Sequence, residues 1–142
     1  MSILGIDISN SKTATIVLAA IIVFIIVGLL IKKRPQKKNK KYFRAQWRAL
    51  QANCKERENW ATAIFQADDL LVEALKSSKV KGKTTGERLV SAQNLFSDNE
   101  EVWNAHKLRT RLEDKPSTVL KKTDVKKALL AFGQAMKDLE VM

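Results

Sequence analysis

Between Thr13 and Ile31 the chain carries no charged residue and no proline, and from Ile16 onward it is almost wholly aliphatic. As a helix rising about 1.5 Å per residue, this run is about 28 Å long, which matches a bilayer hydrocarbon core of about 30 Å. The segment therefore predicts a transmembrane helix over 13–31. A cleaved signal peptide is the competing reading, and three features oppose it. Residues 1–12 hold only Asp7 and Lys12 as charges and so lack a basic n-region, and the apolar run exceeds the usual h-region. Lys32-Lys33-Arg34 then follows where small cleavage-site residues would be needed. An uncleaved anchor is expected.

Residues 32–41 contain seven cations and no acid: Lys32, Lys33, Arg34, Lys37, Lys38, Lys40 and Lys41. The tail before the apolar run is neutral, so the asymmetry predicts a single-pass protein of the cell membrane with Met1 outside and the C-terminal part in the cytoplasm. The lipid bilayer is thus an expected partner, since each cation near an anionic surface is attracted by about 1 kcal/mol. A stop-transfer signal and solvated tether account for the run; a dedicated lipid or nucleic-acid site is the sharper alternative. Taking the tether's seven charges and the neutral leading segment from the total of +11 leaves +4 for residues 42–142. The basicity belongs mainly to the membrane boundary, which weakens any inference to nucleic-acid binding.

The remaining hundred or so residues suit one compact unit. From Lys37 to about Ser78 there is neither Gly nor Pro, so one long helix or two nearly continuous ones are predicted. Phe43, Trp47, Leu50 and Cys54 recur at helical spacing, as do Trp60, Ile64, Ala67, Leu71 and Leu75, with the polar stretch 55–59 between them. Residues 42–58 are read either as a stalk entering a bundle or as an amphipathic segment on the membrane, with the stalk preferred. Residues 77–86 form the clearest loop, and Thr84 with Glu87 has the spacing of a capping box. Leu89, Ala92 and Phe96 face inward on the helix that follows. Ser97 or Asp98 caps a third helix that ends before Pro116, and a last helix starts near Thr123 or Asp124. Its stripe is Val125, Ala128, Leu129, Phe132, Ala135, Met136 and Leu139, with Lys121, Lys122, Lys126, Lys127 and Lys137 in water. No strand-like alternation is evident. The expected fold class is all-α, a single transmembrane helix followed by a four-helix-bundle-like domain over 42–142.

Few residues offer chemistry. Gly82-Lys83-Thr84 resembles the end of a phosphate-binding loop, but the required first Gly falls on Ser77 and the preceding element reads as helix. Cys54 is the only thiol and His106 the only histidine, which excludes an intramolecular disulfide, a cysteine cluster or a two-histidine metal site. No cofactor signature is present. In the third helix Val102, Ala105, Arg109 and Leu112 share one side, with His106 a turn before Arg109. An unpaired buried guanidinium is too costly, so Arg109 should reach an acid or water, and Asp68 or Asp69 in the apolar stretch 67–71 is the expected partner. Asp68, His106 and Arg109 form the candidate polar cluster, most simply a structural ion pair with a satisfied histidine.

The order Trp60, Ala63-Ile64, Ala67-Asp68, Leu70-Leu71, Gly82, Gly86-Glu87-Arg88-Leu89, Trp103, Ala105-His106-Lys107 and Arg109 resembles single-pass membrane proteins of small-genome bacteria of the candidate phyla. Their soluble part is similar to HEPN domains, helical bundles that act as metal-independent ribonucleases or as RNA-binding and toxin-partner modules. The likeness covers about residues 60–139. The family's catalytic pattern is an Arg, commonly followed by Asn, with a His further along the helix. Arg109 matches, whereas Thr110 replaces the Asn and Asp114 stands where the His belongs. Without that His the resemblance implies no proton-transfer partner, because His106 precedes Arg109 and is not a motif match.

These readings lead to a membrane-anchored, non-enzymatic helical module that binds a protein partner or a second copy of the chain. The alternatives are an RNA binder or residual endoribonuclease using Arg109, His106, Lys107 and Arg111, and a passive envelope-associated spacer.

Overall fold

The computed structural model of the chain describes residues 2–3, 6–7, 11–33 and 39–142. They divide into two compact units, Met1–Gln36 and Lys37–Met142. In the first, two-residue strands β1 (Ser2–Ile3) and β2 (Ile6–Asp7) pair antiparallel, in a tail where no strand is expected from the sequence. Helix α1 (Ser11–Lys33) follows and starts two residues before the predicted span. Its stretch Lys12–Leu30 is long and apolar enough to cross a membrane, a property shared by membrane spans and signal sequences. None of the large apolar side chains from Ile16 to Leu30 is buried; they stand 39–81% exposed.

The second unit is helical: α2 (Lys40–Asn53), α3 (Trp60–Ser77), α4 (Thr85–Ala92), α5 (Asn99–Asp114) and α6 (Lys122–Asp138), with a 3-10 turn over Arg57–Asn59. Where four helices are expected, the described residues of this unit form five, because the stretch after Lys37 breaks at Asn53. Two contacts secure the break: the Cys54 thiol donates to the Leu50 carbonyl at 3.1 Å, and the Trp60 indole N–H donates to the Cys54 carbonyl at 2.9 Å. Both satisfy carbonyl groups that the end of α2 leaves without helical partners. The chain then reverses. Tyr42 at the start of α2 donates to Glu73 near the end of α3 at 2.9 Å, so the two helices run antiparallel.

Residues 42–58 therefore do not stand off the bundle as a stalk, because α2 is one of its helices. Phe43 and Leu50 are buried in the same core as α3 and α6. The basic tether 32–41 also narrows. Lys32 and Lys33 belong to the end of α1, Lys40 and Lys41 to the first turn of α2, and Arg34, Lys37 and Lys38 lie outside the described residues.

The helix of most consequence is α3, which packs against α2, α4, α5 and α6. Its sequence alternates a fully buried face of Ile64, Ala67, Leu71, Ala74 and Leu75 with an outward face. Small residues at Ala63, Ala67 and Ala74 let neighbouring helices approach on several sides. Helix α6 meets it with Val125, Ala128, Phe132, Ala135 and Met136, and only Leu129 of the expected stripe is half-buried rather than buried. Gly133 carries a special duty there: a Cβ at this position would stand 2.9 Å from the Trp47 indole, so the glycine lets α2 sit close on α6.

The ends follow from local chemistry. Thr84 and Glu87 make the reciprocal capping box at the start of α4, and Asp98 accepts from the Glu101 N–H at the start of α5. α4 is shorter than expected, and Phe96 reaches the core from the turn after it. Both α3 and α6 close with a residue in the left-handed region, Lys79 (φ 57°) and Glu140 (φ 59°). In each, the next N–H returns to the helix: Val80 to the Leu75 carbonyl and Val141 to the Met136 carbonyl. These are Schellman closures made without glycine.

A candidate polar cluster between α3 and α5

Among the described residues Asp68 is the one charged residue in the buried core, 1% exposed on the inner face of α3. A carboxylate there must have partners, since desolvation otherwise drives it to the neutral form or the chain to unfold. The antiparallel neighbour α5 supplies them. His106 Nδ1 lies 2.9 Å from Asp68 Oδ1, and Arg109 Nε lies 3.5 Å from Oδ2. An ionised carboxylate only accepts, so the proton sits on Nδ1 and His106 donates. The contact from Arg109 Nε has the distance of an ion pair rather than of a hydrogen bond, and that nitrogen is buried with no hydrogen-bond partner.

The rest of the guanidinium turns outward to two exposed acids. It stands 3.7 Å from Asp69 and 3.1 Å from Glu113, one turn further along α5. The face of Phe65 backs the guanidinium at 5.5 Å from the ring centroid. Trp103 meets the His106 ring edge-on at 6.2 Å between centroids, and the Thr110 hydroxyl bonds the His106 carbonyl at 3.1 Å. Asp68, His106 and Arg109 are thus brought together, and Asp69, named with Asp68 as a partner for Arg109, joins them. Sequence reasoning overlooked Glu113, although its place four residues after Arg109 on one helix is a readable signal. Phe65 had no such signal, because only the α3–α5 contact puts it under the guanidinium.

Chemically, this arrangement is a clamp. Three carboxylates surround one guanidinium that is only 25% exposed, so its charge is already met. The other singled-out residues lie elsewhere. Lys107 and Arg111 are exposed on α5. Gly82 adopts φ 147° and packs on Arg88, and Lys83 N–H donates to Glu87, so the Gly-Lys-Thr stretch serves the start of α4. Cys54 is half-buried between α2 and α3, and burial pushes its thiol above the ordinary value, away from the reactive thiolate. Among the described residues no group of three or more His, Cys, Asp or Glu side chains is placed to hold a metal ion.

Searches for related proteins found no match to the chain among family models, curated proteins or solved structures.

Proposed function

We propose that this is a single-pass membrane protein whose helical domain faces the cytoplasm and works as a non-enzymatic interaction module. The observation that carries the reading is α1, whose twelve large apolar side chains from Ile16 to Leu30 all stand exposed. In lipid each is favourable by about 0.3–0.6 kcal/mol, so together they favour insertion by roughly 4–7 kcal/mol. The seven cations of 32–41 support the orientation. In this reading the four longer helices of the second unit, α2, α3, α5 and α6, act as a four-helix-bundle-like core, and its kinship is with HEPN-type interaction modules that have lost their catalytic pattern. The engagement of Arg109 by Asp68, Asp69 and Glu113 supports the non-enzymatic part, since phosphate would have to displace carboxylates already in place.

Alkaline carbonate extraction followed by protease treatment of sealed, right-side-out vesicles tests the placement. The full-length chain stays in the membrane pellet and a C-terminal epitope survives protease; release of the chain, or digestion of the epitope from outside, overturns the reading. Affinity purification from the same membranes then recovers one reproducible partner or a second copy, and a monomer that captures nothing refutes the module.

A further inference from the structure

Away from the Asp68 cluster, an open groove of about 660 Å³ runs between α2 and α6. Its size falls in the range of about 300–1,000 Å³ typical of small-molecule sites, which are mostly apolar with a few polar groups that fix orientation. Trp47, Trp60, Leu129 and Leu130 give the apolar wall, and Leu130 is 64% exposed although its neighbours on α6 pack inward. The polar contribution has one sign. Lys55, Lys122, Lys126 and Lys137 line the groove and no Asp or Glu does. All four lysines are exposed, and none takes part in an ion pair among the described residues.

The lysines are not evenly spread. Helices α2 and α6 run antiparallel, since direction reverses three times, from α2 to α3, from α3 to α5 and from α5 to α6, and Trp47 abuts Gly133. Lys55, just past the end of α2, therefore lies toward Lys122 and Lys126 at the start of α6. Lys137 lies about 16 Å further along that helix. An apolar trough with three cations at one end fits a ligand that is apolar along its length and negative at one tip.

We propose that this groove binds a single-chain anionic amphiphile, an acyl chain with a terminal carboxylate, its chain along Trp47 and Leu129 and its head at Lys55, Lys122 and Lys126. The proposal deepens the module reading by naming what the domain holds. Anchoring through α1 would keep the groove near a supply of such molecules, but the binding geometry does not depend on the anchor.

Cys54 lines the groove and is the only thiol in the chain, so it reports occupancy without any added label. Full-length chain in phosphatidylcholine nanodiscs is treated with a maleimide, and modification of Cys54 is followed by mass spectrometry with palmitate or hexadecanol added. Palmitate at ten times its half-saturating concentration slows modification roughly tenfold, as mass action requires, and hexadecanol does not. The K122E/K126E variant reacts at the unliganded rate and loses the palmitate effect, whereas K137E keeps it. Equal protection by hexadecanol, full protection in K122E/K126E, or protection by an acidic amphipathic peptide but not by palmitate overturns the proposal. Membrane extraction reads the anchor separately, so failure of either reading leaves the other standing.

Discussion

Because Asp68 is buried and Arg109 is not, the two halves of their ion pair should be unequally costly to remove. Replacing Arg109 by Met keeps the aliphatic stem on Phe65 but leaves a carboxylate of 1% exposure with His106 as its remaining partner. Breaking a buried pair in this way costs about 3–5 kcal/mol, and the surviving His106 bond places the loss near the lower end, about 3 kcal/mol. Asp68→Asn is milder. The amide oxygen still accepts from His106, and Arg109 retains Glu113 at 3.1 Å, Asp69 at 3.7 Å and contact with water. Its loss should be about 1–2 kcal/mol, as the His106 bond falls from one made to a charged group to one made to a neutral group. The double variant D68N/R109M has no stranded charge and should be more stable than R109M alone. Urea unfolding at pH 7 followed by tryptophan emission measures all three, because Trp47, Trp60 and Trp103 lie in the second unit and none lies in α1. A D68N loss equal to or greater than that of R109M, or strict additivity in the double variant, would refute the argument from unequal burial.

Three further outcomes follow from local geometry. Lys79→Gly and Glu140→Gly should each stabilise the domain by about 0.5 kcal/mol in urea unfolding, since relief of the left-handed strain exceeds the extra entropy of an unfolded glycine. Thr84→Ala should cost about 1 kcal/mol through loss of the capping box, with hydrogen exchange accelerated in α4 before the rest of the domain. Asp138 ties the end of α6 to the start of α5: burial alone would raise its carboxyl, but the Ser97 N–H, the Gln134 amide and the Ser97 hydroxyl outweigh it and hold it below the ordinary value. A depressed carboxyl adds stability above its unfolded value near 3.9 and loses it as pH falls through the folded one. The stability gap between the native chain and Asp138→Asn should therefore be constant from about pH 5 to 8 and shrink below about pH 4.

The helix boundaries that were legible are those signalled by a residue's own neighbours. Thr84 with Glu87, Asp98 before two glutamates and Pro116 after α5 each act within a few positions, and the helices start or stop where those signals stand. The break after Asn53 was legible only as one of two readings, two helices divided by the polar stretch 55–59, and the reversal of direction there was not legible. Its stabilising contact is the Trp60 indole on the Cys54 carbonyl, formed only once α2 has folded back on α3. Likewise Lys79 and Glu140 end their helices without the glycine that usually announces such a turn, because the buried Leu75, Met136 and Val141 side chains fix the closure from the core side.

The same division separates the polar cluster from the groove. A cation on the inward face of α5 demands a counter-charge or water, so desolvation alone pointed from Arg109 to Asp68 or Asp69 in the apolar stretch of α3. Helical periodicity makes no such demand of Trp47 or Leu129. It shows which side of α2 or α6 is apolar, but not how far around that side the neighbouring helix reaches. Gly133 lets the Trp47 indole close against α6 at one point. Beyond it the same stripe is left as an open wall with lysines around it. An apolar face of one helix is therefore divided by its neighbour into a part that holds the fold together and a part free to hold something else.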